Sequence, residues 1–145
     1  VSSLRSDIAD AIIARLALLP DIKSASFDTV RLQANDFQDW ELPAVQIIDL
    51  GEVVIHEMKR ARKSWQLVVE IILGPQATTT PTQKTLWDLM ETVERHLWET
   101  PNLGISGVIH MILTGTSTDL HLMQPYYLGR LEMQVDYYQP LVGTC

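Results

Sequence analysis

The stretch TPTQKTLWDLMETVERHLWET, Thr80 to Thr100, decides how the rest of the chain is organised. Thr80 suits a helix N-cap, Pro81 the first helical position, and Gln83 completes a capping box. Leu86, Leu89, Met90, Val93 and Leu97 then recur on one helical face, and Pro101 stops the run. An apolar stripe this wide has to be buried against a second layer, and alternating strand patterns on both sides supply it.

Upstream of the helix, Lys63 to Leu73 alternates cleanly. Trp65, Leu67, Val69, Ile71 and Leu73 fall on one face, and Ser64, Gln66 and Glu70 share the other with Val68 and Ile72. Before it, Ala44 to Glu57 (AVQIIDLGEVVIHE) reads as a long strand with Gly51 as a bulge or bend. Only the polar tip around Met58–Arg62 separates the two, so they form an antiparallel hairpin, closed at its far end by Gly74-Pro75. Downstream of the helix, Val108 to Thr114 is a third long strand and GTSTD a turn. DLHLM is a short extended piece broken by Pro125. Tyr127 to Tyr138 is the last strand. Its Gly129, Leu131, Met133, Val135 and Tyr137 point one way, and Arg130, Glu132, Gln134 and Asp136 point the other.

At the N-terminus, Leu4 to Leu19 keeps helical spacing and Pro20 ends it. Its stripe is Ala-rich and shallow, which places this helix on a surface. Asp21 to Pro43 is mostly connection, with room for a short strand at Ser24–Phe27, and 139–145 reads as a frayed tail. The expected fold is a single α+β domain over residues 1–145. It is a mostly antiparallel sheet of about four strands with helices on one face, in the order α-β-β-α-β-β.

Composition sets the outer bounds. The 145 residues are 46% hydrophobic and 20% charged, an ordinary globular balance. No apolar run approaches the roughly 20 residues that span a bilayer, and no signal-peptide pattern opens the stretch. A soluble product made in the cytoplasm, without a membrane partner, is the expectation. The one cysteine, Cys145, excludes an internal disulfide. A net charge of −7 argues against electrostatic DNA binding by a basic face. The charges are nevertheless segregated: seven acids and one base, Arg31, lie between Asp28 and Glu57, whereas Lys59, Arg60, Arg62 and Lys63 place four of the 11 bases within five residues.

Motifs for catalysis are missing. There is no Gly-rich phosphate loop, no G-x-S-x-G and no H-E-x-x-H. His110 and His121 with Asp119 have the donor chemistry of a two-His, one-carboxylate site, although strand histidines beside a polar face account for them more simply. Asp36, Asp39 and Glu41 lack the glycine-punctuated spacing of a calcium loop and read as solvated charges. The chain therefore implies neither a metal nor another cofactor.

Two features point instead to contacts. Trp87 and Trp98 are eleven residues apart, which on a helix returns nearly the same direction, about a quarter-turn from the core stripe. They either cover the margin of the core or mark a subunit contact, where Trp is enriched. Likewise, the basic tip Lys59, Arg60, Arg62 and Lys63 is either a solvated hairpin end or a surface that meets an acidic partner or the Asp36–Glu41 region of a neighbouring copy. Phe37 and Trp40 in that acidic stretch are pinned either to their own core or against a partner chain.

The layout as a whole runs from an N-terminal helix through a loop ending in Leu42-Pro43-Ala44-Val45, a long hairpin and a central helix to a final hairpin whose last strand reads LGRLEMQVDYY. It resembles the tail terminator proteins of long-tailed bacteriophages, the lambda-type minor tail protein U group, and their tail-completion and neck relatives. The likeness is one of length, element order and texture from Leu4 to Tyr138, and it carries no site residues across. What the resemblance implies is a structural virion protein in the tail or neck region. Such a protein forms a homo-hexameric ring on the tail tube protein, ends tube polymerisation, and presents a surface to head-tail connector or neck proteins. DNA would pass through its lumen only as cargo. Two alternatives remain beside it: a neck, head-tail joining or tail-completion protein, and a small host α+β partner-binding module.

Overall fold

The computed structural model describes residues 4–26, 42–74, 82–118 and 126–140. Their elements are α1 (Leu4–Leu16), β1 (Ser24–Ser26), β2 (Ala44–His56), β3 (Arg60–Leu73), α2 (Gln83–Trp98), β4 (Val108–Thr118) and β5 (Tyr127–Pro140). The α+β class holds, but the sheet has five strands in the spatial order β1-β2-β3-β5-β4 and is mixed. The departure from an antiparallel four-stranded sheet lies in β1, which pairs parallel with β2 through Ser24–Ala44 and Ser26–Gln46. A three-residue strand carries too little periodicity to be read with assurance from sequence, and its direction depends on the path that follows it. The other pairings, β2–β3, β3–β5 and β4–β5, are antiparallel. Strands β3 and β4 therefore run the same way, and α2 carries the chain across the position that β5 later fills.

Helix α2 starts two residues later than the Thr80 cap predicted, because Thr82-x-x-Thr85 forms the reciprocal box with two hydroxyls. Thr85 N donates to Thr82 Oγ1 at 3.2 Å and Thr82 N to Thr85 Oγ1 at 3.3 Å. Thr80 and Pro81 lie outside the described residues. Leu86, Leu89, Met90, Val93 and Leu97 are all buried, as their spacing requires. The helix comes close to the sheet at Gly129, where a Cβ would lie 2.5 Å from Met90 Sδ and 3.1 Å from Leu86 Cδ1.

Helix α1 is not the shallow surface helix its alanines suggested. Ile8, Ile12 and Leu16 are fully buried in the same core as Val69, Leu97 and Leu131. Three large side chains at i, i+4 and i+8 make a narrow but deep seam, and the small Ala9 beside them is buried as well. The two helices are also tied by a hydrogen bond, with His96 Nε2 2.8 Å from the Arg15 carbonyl that can only accept from it.

In the sheet, Trp65, Leu67, Val69 and Ile71 of β3 and Leu131, Met133 and Val135 of β5 face the helices. The opposite face carries a smaller cluster of Leu42, Ala44 and Ile72. Beside it, Gln46 Nε2 donates to Glu70 Oε1 at 2.8 Å, and Arg130 Nε donates to Glu70 Oε2 at 2.9 Å. The polar groups buried on this face are thus partnered with one another. Strand β4 continues through Thr118, so Gly115 to Thr118 of the turn expected at GTSTD are strand. A register irregularity between Leu113 and Gly115 absorbs the glycine, and the ladder resumes with Thr116–Leu131 and Ser117–Arg130. Strand β5 runs to Pro140, two residues into the expected tail; 141–145 are outside the described residues.

The bulge predicted at Gly51 is present, with the register shifting between Asp49 and Glu52. Gly51 has φ +96°. Its N–H donates to Asp49 Oδ1 at 2.7 Å, and the same oxygen accepts from the buried Trp65 Nε1 at 2.8 Å. A Cβ here would meet nothing within 4 Å, so the cost of adding one is confined to the backbone. Gly51→Ala is expected to lose about 1–2 kcal/mol, and Gly51→Asn less, as measured by urea denaturation. Equal losses for both would show that the left-handed conformation is not what requires glycine.

Candidate interaction surfaces

Trp87 and Trp98 are 57% and 50% exposed, so neither is a core residue and each shows one side to solvent. They stand at the two ends of an open groove of about 490 Å³ along α2, lined also by Met90, Glu91, Glu94, Arg95, Thr116 and Leu131. Elements far apart in sequence make it: α2 supplies one wall, and Thr116 of the edge strand β4 with Leu131 of β5 supplies the other. Inside, Arg95 Nη2 donates to Glu91 Oε1 at 2.6 Å. Among the described residues Glu94 has no ion-pair partner. The groove thus joins two indoles with an uncompensated carboxylate.

The basic tip is less uniform than its sequence. Alternation along β3 sends Arg60 and Arg62 to one face and Lys63 to the other. Arg60 Nε donates to Glu57 Oε2 at 2.7 Å, and its guanidinium lies 3.7 Å from the Tyr138 ring centroid. Arg62 Nη2 donates to Asp136 Oδ2 at 3.4 Å. Lys63 Nζ is 3.3 Å from Glu52 Oε1, and that carboxylate also accepts from Tyr137 Oη at 2.7 Å through its other oxygen. Burial first, and then the bond to Glu52, raises the Tyr137 pKa well above that of a free phenol. Three of the four bases are therefore held within the chain; among the described residues Lys59 is the one without a carboxylate. Asp36, Phe37, Asp39, Trp40 and Glu41 lie outside the described residues, as do Asp119 and His121. The sheet brings His110 instead to Asp136, with 3.1 Å between Nε2 and Oδ2. No group of three or more His, Cys, Asp or Glu among the described residues is placed to hold a metal ion.

Sequence reasoning missed what surrounds the tip. Leu50 in the bulge and Val53, Val54 and Ile55 past it are exposed, and Met58 at the turn is 96% exposed. Strand β1 covers only the first three residues of β2, so the outer edge of β2 beyond Gln46 has no strand partner among the described residues. The one hint in the sequence was Val53-Val54-Ile55, which breaks the alternation of a strand with one wet face.

Asp136 alternates with the Leu131 face, on the side a strand pattern leaves wet or paired with another chain, yet it is buried within this chain. Burial pushes its carboxyl up, but bonds from Ser64, Gln134 and Arg62 and the nearby His110 outweigh this, leaving its pKa below the usual 3.8. A carboxylate whose pKa is lowered by folding contributes stability that is present above its unfolded pKa and lost as pH falls through the folded one. Unfolding free energy should therefore drop on acidification below about pH 4. Asp136→Asn should be less stable at neutral pH and show a shallower acid limb; an unchanged limb in a urea titration series would show that Asp136 is not responsible.

Comparison with protein-family models and with curated proteins finds no match. Among the described residues no helix is long and apolar enough to cross a membrane.

Proposed function

We propose that this chain is a structural virion protein of the tail-terminator kind, which assembles with copies of itself into a hexameric ring. The ring caps the tail tube, ends its polymerisation and offers a surface for head joining, with DNA passing through the lumen. The role is architectural, and no catalytic step is assigned. One observation carries the reading: two separate surfaces, the β2–β3 hairpin end and the Trp87–Trp98 groove, expose large apolar side chains on different margins of one sheet. Exposed apolar patches mark places where a partner sits. Two different patches on one body suit head-to-tail assembly, which makes rings when the rotation closes.

The test is the mass of the assembled species. Light scattering on the purified full chain should find a closed oligomer, and adding it to growing tail tube protein should stop elongation and leave rings at the tube ends by negative-stain microscopy. Unimpeded tube growth with bare ends would rule out a terminator. Rings found on the connector alone would move the protein to the neck.

A further inference from the structure

Resting on that ring reading, we infer that the occupant of the Trp87–Trp98 groove is the β2–β3 hairpin end of a second copy of this chain. Met58 would lie between the indoles, and Lys59 would pair with Glu94. Chemistry matches the two surfaces. Met58 stands almost wholly in solvent at the turn, and its unbranched thioether suits an indole-lined slot. Lys59 beside it and Glu94 in the groove are, among the described residues, a cation and an anion that lack ion-pair partners. The remaining tip bases are held by Glu57, Asp136 and Glu52, so among the described residues the tip presents one unpaired positive charge and the groove answers it with one unpaired negative charge.

Geometry requires the partner to be another molecule. The tip continues β2 and β3, whereas the groove lies between α2 and the opposite edge strand, β4, with β5 between β3 and β4. Along the strands, Ala61 pairs with Gln139 while Val69 pairs with Leu131 on the groove wall. That is eight residues, or roughly 26 Å at about 3.3 Å per residue. Both surfaces are fixed in one sheet, so a tip cannot reach the groove of its own chain. A contact between unlike patches is heterologous, and every open assembly keeps one free tip at one end and one free groove at the other until the ring closes.

The test uses two variants of the full chain, Met58→Asp with Lys59→Glu to disable the tip and Trp87→Ser with Trp98→Ser to disable the groove, whose Glu94 then repels the disabled tip. Circular dichroism checks that each is folded. In sedimentation velocity each variant alone should associate at least about tenfold more weakly than the unaltered chain. Their equimolar mixture should give a heterodimer and nothing larger, because one intact tip and one intact groove remain between them. Lys59→Glu and Glu94→Lys should each weaken assembly singly and restore it when combined in one chain. That charge exchange is confined to exposed groups and decides the matter even if the groove variant fails to fold. If the unaltered chain assembles but the tip variant and the charge exchange leave assembly untouched, the docking inference is wrong and the ring reading stands. If the unaltered chain stays monomeric at millimolar concentration, the ring reading fails and the docking inference fails with it.

Discussion

Leu97→Ala should lower the unfolding free energy by about 3 kcal/mol and the Tm by roughly 10 °C for a domain of this size. Leu97 is fully buried in the last turn of α2, in one cluster with Ile8, Ile12 and Leu16 of α1 and the helix-facing residues of the sheet. Alanine is the better helix former, so intrinsic propensity does not oppose the change and the whole loss is packing. The cavity would open in the core shared by both helices and the sheet, one residue from the His96–Arg15 bond that ties the helices together. Neighbours pinned from two sides relax little, which keeps the cost above the low end of what such truncations show. Urea denaturation checks it, with an unchanged m-value marking a pure stability effect. A loss below about 1 kcal/mol would mean that α1 is not docked there.

The double substitution Trp87→Ala with Trp98→Ala should do the reverse, abolishing self-association while leaving most of the stability in place. Both indoles are about half exposed in the single chain, so truncation removes only part of a core contact. At a buried subunit contact the same truncation removes two anchors. Each is expected to cost about 2 kcal/mol or more of association free energy, or roughly 30-fold in Kd. Light scattering and thermal melts on the same samples separate the two effects. Intact rings with a large fall in Tm would mean that both indoles serve to cover the margin of the core and make no subunit contact.

Residues whose environment is set by their own element are readable in the sequence. The five apolar positions of α2 are buried because a helix returns them to one face every 3.6 residues, and only one face can meet the sheet. Alternation along β3 and β5 identified Trp65, Leu67, Leu131 and Met133 as inward for the equivalent reason. The direction of Trp87 and Trp98 was readable in the same way. Whether they were covered was not, since that depends on how far the sheet extends beneath the helix margin.

Other features depended on neighbours distant in sequence. Asp136 alternates like a solvent residue, yet Ser64, Arg62 and His110 close over it from the adjoining strands. The four bases at the hairpin end read as one patch, but pleating and the carboxylates of Glu57, Asp136 and Glu52 divide them. The α+β class, the central hairpin, the Gly51 bulge and the inward faces of α2, β3 and β5 were legible in the sequence, because local periodicity dictates which side chains can be buried together. Long-range packing set the parallel pairing of β1, the depth of α1, and the separation that keeps the apolar hairpin end and the tryptophan groove of one chain from satisfying each other. Those outcomes depend on which surfaces the chain leaves uncovered once it has folded, and no local pattern encodes that.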